Sequence, residues 1–106
     1  MGIFGKDKET KSKSISFVDT PYSLSLNGDD VVYVNCTNGD VEVFLPPLSA
    51  GRKDPYDIIK TDSTSNRVLL TGDSGELING VNVQEIGIQY DSLRPHNNSG
   101  SSWGLL

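Results

Sequence analysis

Apolar and polar residues alternate along most of the chain in short runs, and clusters of Gly, Asn, Asp and Ser separate the runs. The clearest alternation covers residues 41–45, where every second residue is aliphatic and would lie on one face of a strand. The β-branched and aromatic run at 31–34 is typical of a well-buried strand. Because Asn38-Gly39-Asp40 is a strong turn signal between these two runs, the sequence predicts a β-hairpin here.

A second hairpin is predicted over residues 56–70, where two runs rich in Ile, Val and Leu flank the polar stretch 61–66. A tight turn is predicted at Asn79-Gly80, and a last strand at 103–106. The whole pattern indicates eight to ten short strands with regularly spaced turns. We therefore expect an all-β fold, a small antiparallel β-sandwich or roll, with one domain over residues 15–106.

Residues 1–14 form a polar segment that differs from the rest of the chain and is expected to be a flexible N-terminal arm. The chain carries a net charge of −5, but the arm is basic, since four lysines outnumber Asp7 and Glu9. Two apolar residues stand at its tip and would serve as a docking peg on a basic stalk, the alternative being a frayed terminus without a role. The predicted docking residues are Ile3, Phe4, Lys6, Lys8, Lys11 and Lys13.

Charge and hydropathy exclude several classes of protein. An acidic chain is poorly suited to general binding of nucleic acid phosphate. No apolar run approaches the length needed for membrane insertion, and the first residues lack the apolar centre of a signal peptide. The single cysteine, Cys36, has no internal disulfide partner and is expected to be an inert buried thiol.

Candidate catalytic residues do not combine into a known site. Gly72-Asp73-Ser74-Gly75 spells the tetrapeptide around the nucleophilic serine of chymotrypsin-like proteases, but the sole histidine, His96, follows Ser74 in a loop-like context. The acidic turn residues follow no ion-loop spacing. We therefore expect no enzyme activity, no cofactor and no metal.

Five aromatic residues leave two interpretations open. Flat rings can stack on the apolar faces of sugars, but aromatic residues within apolar runs more often belong to a core or a subunit interface. Tyr22, Tyr90 and Trp103 are the predicted interface or glycan-binding residues, and Tyr33 and Tyr56 are expected in the core.

Motifs spread over residues 31–106 resemble a small β-module of bacteriophage virion proteins, found near the ends of tail fibres and tailspikes and in related capsid-surface proteins. The similarity is carried by the run 41–46 ending in Leu45-Pro46, by Tyr56-x-Ile58-x-Lys60-Thr61-Asp62-Ser63, by Asn66-x-Val68, Ile78-Asn79-Gly80 and Tyr90-x-Ser92, and by Trp103. The resemblance implies an all-β module that assembles as a homotrimer and binds other molecules without catalysis. It assigns no binding site, because the matching positions look structural. The basic pair Arg52-Lys53 and the lack of a fibre shaft depart from the family pattern.

Two functions follow as expectations. The first is a virion structural accessory, a capsid decoration or cementing protein whose N-terminal arm docks to other virion proteins of the capsid or tail while the acidic body projects. The second is a receptor-binding tail fibre module that recognises a host-surface glycan through its aromatic rings and polar loops.

Overall fold

The computed structural model describes residues 9–106, which form ten short strands and three single 3₁₀ turns. The 3₁₀ turns are Phe17–Asp19, Leu48–Ala50 and Asp73–Gly75. The strands are β1 (Ser12–Ser16), β2 (Tyr22–Ser23), β3 (Val31–Asn35), β4 (Val41–Phe44), β5 (Asp57–Lys60), β6 (Val68–Thr71), β7 (Val83–Ile86), β8 (Ser92–Leu93), β9 (Pro95–Asn98) and β10 (Ser102–Leu105).

The strands form two four-stranded sheets and a separate hairpin. One sheet has the order β1-β3-β5-β8, and the other has the order β2-β4-β6-β7. The first six strands alternate between the two sheets, and each is parallel to its neighbours among them. The chain therefore winds as a short β-solenoid of three coils, in which each strand of one sheet serves as the connection between parallel strands of the other.

The last coil is closed by strands of opposite direction. Strand β7 is antiparallel to β6, and β8 is antiparallel to β5. The hairpin β9–β10 completes the fold and reaches the body through a bridge between Ile78 and Trp103. These elements cover the third coil, whose strands would otherwise have unpaired backbone groups along that side.

The mostly β character of the chain is confirmed, but the two hairpins predicted over residues 31–45 and 56–70 are wrong. The runs 31–34 and 41–45 lie in different sheets, and so do the two halves of the segment 56–70. The purely antiparallel prediction is wrong for the same reason, since the first six strands make parallel ladders. A turn signal shows that the chain bends, but it does not distinguish a reversal within one sheet from a corner between two sheets.

Two local predictions are confirmed. Ile78 and Val81 pair across Asn79-Gly80, and both turn residues have positive φ, as a type I′ turn requires. The predicted last strand corresponds to β10.

Inward-facing residues of successive coils stack in register between the two sheets. In one sheet Val32 aligns with Ile58, and in the other Val43 aligns with Leu70. All four are fully buried and belong to a single apolar core. The period-two pattern of the sequence therefore has a simple cause, because alternate residues of each strand face this shared core.

Strand β1 begins at Ser12 and pairs with β3 over its whole length. Three residues of the segment predicted as an arm therefore belong to the first coil. Four of the predicted docking residues, Ile3, Phe4, Lys6 and Lys8, lie outside the described residues. Within residues 9–106, no helix has the length and apolar character needed to cross a bilayer.

Candidate functional site

The connections from one sheet to the other stack at one edge of the solenoid, and we call residues 17–21, 36–40, 61–67 and 87–91 the corner column. Its levels are joined by hydrogen bonds. Arg67 N donates to Asp40 Oδ1 at 2.7 Å, and Gln89 Nε2 donates to the carbonyl oxygen of Thr61 at 3.1 Å. Within the column, Asp62 is a buried charged residue.

A buried lysine lies at the base of the third corner. Lys60 aligns with Val34 and Ile15, so its side chain enters the core where the other coils place aliphatic residues. Its ammonium donates to the carboxylate of Asp62 at 2.8 Å and to the carbonyl oxygens of Asp62 and Thr64 at 2.9 Å each. The three N–H groups of this fully buried side chain are therefore all satisfied.

Asp62 gathers the surrounding chain around this ammonium. It accepts hydrogen bonds from the Cys36 amide at 2.6 Å, from the Thr64 amide at 3.1 Å and from the Thr64 hydroxyl. Burial alone would raise the pKa of Asp62, but the bonds from Lys60, Thr64 and Cys36 outweigh it and hold the pKa well below its usual range. Burial also raises the pKa of the Cys36 thiol, to about 11, so this cysteine is an inert core residue.

A second polar cluster lies at the opposite edge of the solenoid and contains Arg52. Its guanidinium donates to Asp30 at 2.9 Å and to three backbone carbonyls, and it stacks 3.8 Å from the ring centre of Tyr56. The side chain is almost fully buried. Arg52, one of the basic pair that departs from the family pattern, therefore braces the loop before β5.

Asp29 organises the loop between β2 and β3. Its carboxylate accepts hydrogen bonds from the Tyr22 hydroxyl at 2.8 Å and from the Ser25 amide at 2.7 Å. Burial raises the pKa of Tyr22, and the bond to Asp29 adds to the effect, bringing it to about 12. Tyr22 is thus bonded within the chain, and its half-buried ring packs against the core.

Two of the predicted docking lysines contact the body of the domain. Lys11 donates from its amine to the carbonyl oxygen of Asn27 at 3.0 Å, and the amine of Lys13 lies 6.0 Å from the ring centre of Tyr22. Both residues help to attach the start of β1 to the first loop.

The two candidate catalytic residues lie in different elements. Ser74 is in the 3₁₀ turn Asp73–Gly75, with a φ of 46°, and His96 is in β9 opposite Gly104. Within residues 9–106 no hydrogen bond joins them. In the same part of the chain, no group of three or more His, Cys, Asp or Glu side chains is arranged to hold a metal ion.

Of the three predicted interface or glycan-binding aromatics, only Tyr90 has a largely exposed ring. Trp103 is 1% exposed and lies 6.5 Å from Tyr56 between ring centres, so it is a core residue. Tyr90 is 72% exposed and lies beside Ile88, which is 68% exposed. Tyr90 is one of the aromatics predicted from the sequence, whereas nothing in the sequence distinguished Ile88 from the other aliphatic residues.

A partly apolar concavity opens at the edge opposite the corner column. It has a volume of about 420 Å³ and lies where β2, β4 and β6 end. We call it the Pro46–Pro47 cleft. Its lining residues are Ser23, Leu24, Phe44, Leu45, Pro46, Pro47, Gly72, Asp73 and Ser74.

Comparison of the chain with protein-family models, curated proteins and solved structures finds no match.

Proposed function

We propose that this chain is a non-enzymatic structural accessory protein of a bacteriophage virion, a decoration or cementing protein that assembles as a homotrimer. The proposal is supported by the positions in the fold of the motif residues that resemble the phage β-module. Leu45, Ile78 and Trp103 are all buried. Lys60 and Asp62 form the ion pair inside the third corner. These five motif residues are thus structural positions, which supports a similarity of fold to the phage β-module, whereas Tyr90 of the same motif is exposed.

The distribution of exposed apolar residues supports a role in assembly. Exposed apolar side chains are candidates for contact with a partner. Here they occur at the corner column, on the outer faces of the sheets, in the segment between β6 and β7, and at residue 106. Among residues 9–106, the exposed large apolar residues are Phe17, Val18, Tyr33, Leu77, Val81, Val83, Ile88, Tyr90 and Leu106.

In this proposal the N-terminal arm anchors the protein to another virion protein. Because Lys11 and Lys13 contact the chain's own body, docking depends chiefly on Ile3, Phe4, Lys6 and Lys8. A basic segment beside an acidic body would steer the protein to a negatively charged partner surface.

The test of anchoring is retention on purified particles. A variant lacking residues 1–8 leaves β1 and every described residue in place, and we expect it to be lost from the particles. The double variant Ile3→Ser, Phe4→Ser removes the apolar tip, and the double variant Lys6→Gln, Lys8→Gln removes two positive charges. Comparing them separates the apolar from the electrostatic contribution to docking. Full retention of the truncated protein would refute anchoring by the arm.

Copy number distinguishes the possible locations. A capsid decoration protein is present in large symmetric numbers, whereas a tail component is present in few copies. Quantitative gel densitometry of particles against the major capsid protein makes this measurement. Light scattering of the isolated protein should give three times the chain mass, and a monomer at high concentration would contradict the homotrimer.

The exposure of Tyr90 favours a second candidate, a receptor-binding tail fibre module that recognises a host-surface glycan. An exposed ring offers a stacking platform for a sugar. The test is binding to an array of bacterial surface polysaccharides, with Tyr90→Ala as the binding-site variant and Val18→Ala as an exposed apolar control. Absence of binding across the array would remove this candidate.

A further inference from the structure

The loop at 87–91, which we call the Tyr90 loop, displays two apolar side chains in a fixed conformation. The Asp91 amide donates to the carbonyl oxygen of Ile88 at 3.1 Å, which closes a tight turn. The Tyr90 amide donates to the carbonyl oxygen of Lys60 at 2.7 Å, which ties the turn to the third corner. The exposed Ile88 and Tyr90 therefore project from a firmly held part of the corner column.

Tyr90 has an unfavourable backbone conformation for its side chain. Its φ of 68° lies in the left-handed region, and it occupies the third position of its turn, where Gly or Asn is preferred. A tyrosine here strains the backbone and also leaves an aromatic ring in water. Strained residues of this kind are concentrated at functional positions, which points to a role for the ring outside its own chain.

The Pro46–Pro47 cleft offers an environment that suits such a ring. Its apolar lining residues are Leu24, Phe44, Leu45 and the two prolines, whose faces can pack against an aromatic ring. Ser23, Asp73 and Ser74 also line it and can bond a phenolic hydroxyl. A lining with both apolar and polar side chains matches the chemistry of a tyrosine side chain.

The Tyr90 loop and the cleft lie at opposite ends of the same strands. The loop follows Ile86, which pairs with Val68 at the start of β6, whereas the cleft lies beyond Thr71 at the end of β6. A chain therefore cannot place its own Tyr90 in its own cleft, but a second copy can. Contacts between two different surfaces of identical chains close into rings when the rotation permits.

We propose that Tyr90 of one copy inserts into the Pro46–Pro47 cleft of the next copy, forming the contact that builds the oligomer. This inference rests on the proposed homotrimer and identifies the surfaces that join its subunits. The contact also buries Ile88 at the margin of the cleft. In this arrangement Tyr90 is unavailable to a glycan.

The test uses one variant for each surface. Tyr90→Ser removes the inserted ring, and Ser23→Trp fills the cleft from a strand position with ordinary backbone geometry. Val18→Ser is the control, since Val18 is also exposed and apolar but lies in the first corner. Each variant is checked for an unchanged far-ultraviolet circular dichroism spectrum, and its mass is measured by light scattering over a concentration series.

We expect each of the two surface variants to dissociate, with the association constant lowered by about 30-fold or more, as for an aromatic hot spot. The control should keep the wild-type mass. An equimolar mixture of the two variants should give a dimer and no larger species, because a single intact loop and a single intact cleft remain between them.

Three results would overturn the inference in distinguishable ways. If the wild type is a trimer and Tyr90→Ser remains one, the homotrimer stands and this contact is wrong. If the wild type is a monomer at high concentration, both proposals fail. A mixture of the two variants that stays monomeric would also contradict pairing of these surfaces.

Discussion

At the scale of single residues, the most unusual feature is an ammonium group inside an apolar stack. Lys60 aligns with the buried aliphatic residues Val34 and Ile15 of the other coils, and its charged side chain is fully buried in the same way. A buried charge is tolerated only when it is paired and fully hydrogen-bonded. Asp62 provides the opposite charge and at the same time binds the Cys36 amide of the preceding corner. The pair therefore sets how the third corner packs on the second.

Replacing Asp62 with Asn should destabilise the protein strongly. The variant leaves the Lys60 ammonium buried without a counter-charge, and such losses cost about 3–5 kcal/mol. Urea unfolding at pH 7 followed by tryptophan fluorescence measures the change.

The matched control for that substitution is Glu85→Gln. It removes the carboxylate of the Arg67–Glu85 ion pair, in which both side chains are about half exposed. Exposed pairs contribute less than about 1 kcal/mol. Equal losses of unfolding free energy in the two variants would mean that the buried ion pair stabilises the protein no more than the exposed one.

Asp62 also predicts how stability depends on pH. Because its pKa is lower in the folded than in the unfolded chain, the unfolded state binds more protons, and stability decreases as pH falls. The stability that the Asp62 carboxylate contributes is complete above its pKa in the unfolded chain, about 4, and is lost progressively below that pH.

The difference in unfolding free energy between the wild type and Asp62→Asn should therefore narrow below about pH 4. Urea titrations at several acidic pH values measure it. A difference that stays constant from pH 7 to pH 2 would show that the carboxylate is not the source of the effect.

At the scale of elements, the turn between β6 and β7 depends on a close contact between two backbone segments. After β6 the chain turns at Gly72, whose amide donates to the carbonyl oxygen of Asn82 at 2.9 Å. The side chain of Asn82 in turn bonds the carbonyls of Gly72 and Glu76. The turn between β6 and β7 is therefore packed against its own backbone, and a side chain at Gly72 has no room.

Gly72→Ala should be destabilising by about 1–3 kcal/mol, because its Cβ would overlap the carbonyl oxygen of Glu76 and the backbone would have to move. Gly87→Ala is the matched control. Neither glycine has a positive φ, and a Cβ at Gly87 would be 3.9 Å from its nearest neighbour, in Arg67.

We expect the control to change stability by no more than about 0.5 kcal/mol. Thermal and urea unfolding compare the two variants. A loss for Gly87→Ala as large as that for Gly72→Ala would indicate a general cost of glycine replacement and no steric overlap.

At the scale of the whole molecule, the terminal hairpin and the solenoid share one core. Trp103 of β10 is buried beside Tyr56, which precedes β5, and its backbone bridges to Ile78. A coil of this solenoid cannot bury its apolar face without neighbours above and below it. The hairpin and the coils should therefore unfold together.

The single tryptophan makes this cooperativity measurable. Tryptophan fluorescence reports on the terminal hairpin, while far-ultraviolet circular dichroism reports on the sheets. We expect the two urea transitions to coincide, as for a two-state domain. A fluorescence change at lower urea would show that β9–β10 detaches before the solenoid unfolds.

Part of the functional surface was accessible from the sequence. Tyr90 could be named as an interface or glycan-binding residue because aromatic side chains are enriched at interfaces and can stack on sugars. The exposure of Ile88 and the left-handed conformation of Tyr90 could not be named, since both depend on a turn held by Lys60 of another strand. The Pro46–Pro47 cleft was equally hidden, because it joins the ends of three strands that are far apart in the chain.

The sequence by itself determined that the chain is built of short strands, where most of them lie, and which bends are local turns such as Asn79-Gly80. Those features depend on side-chain alternation and on the conformational freedom of neighbouring residues. Strand partners were decided only in the tertiary structure. Strand β4 (Val41–Phe44) pairs with β2 of the preceding coil and with β6 of the following coil. It does not pair with β3 (Val31–Asn35), its neighbour in the sequence. The physical reason is that one alternating pattern fits either arrangement, and only the packing of three coils around a shared core selects between them.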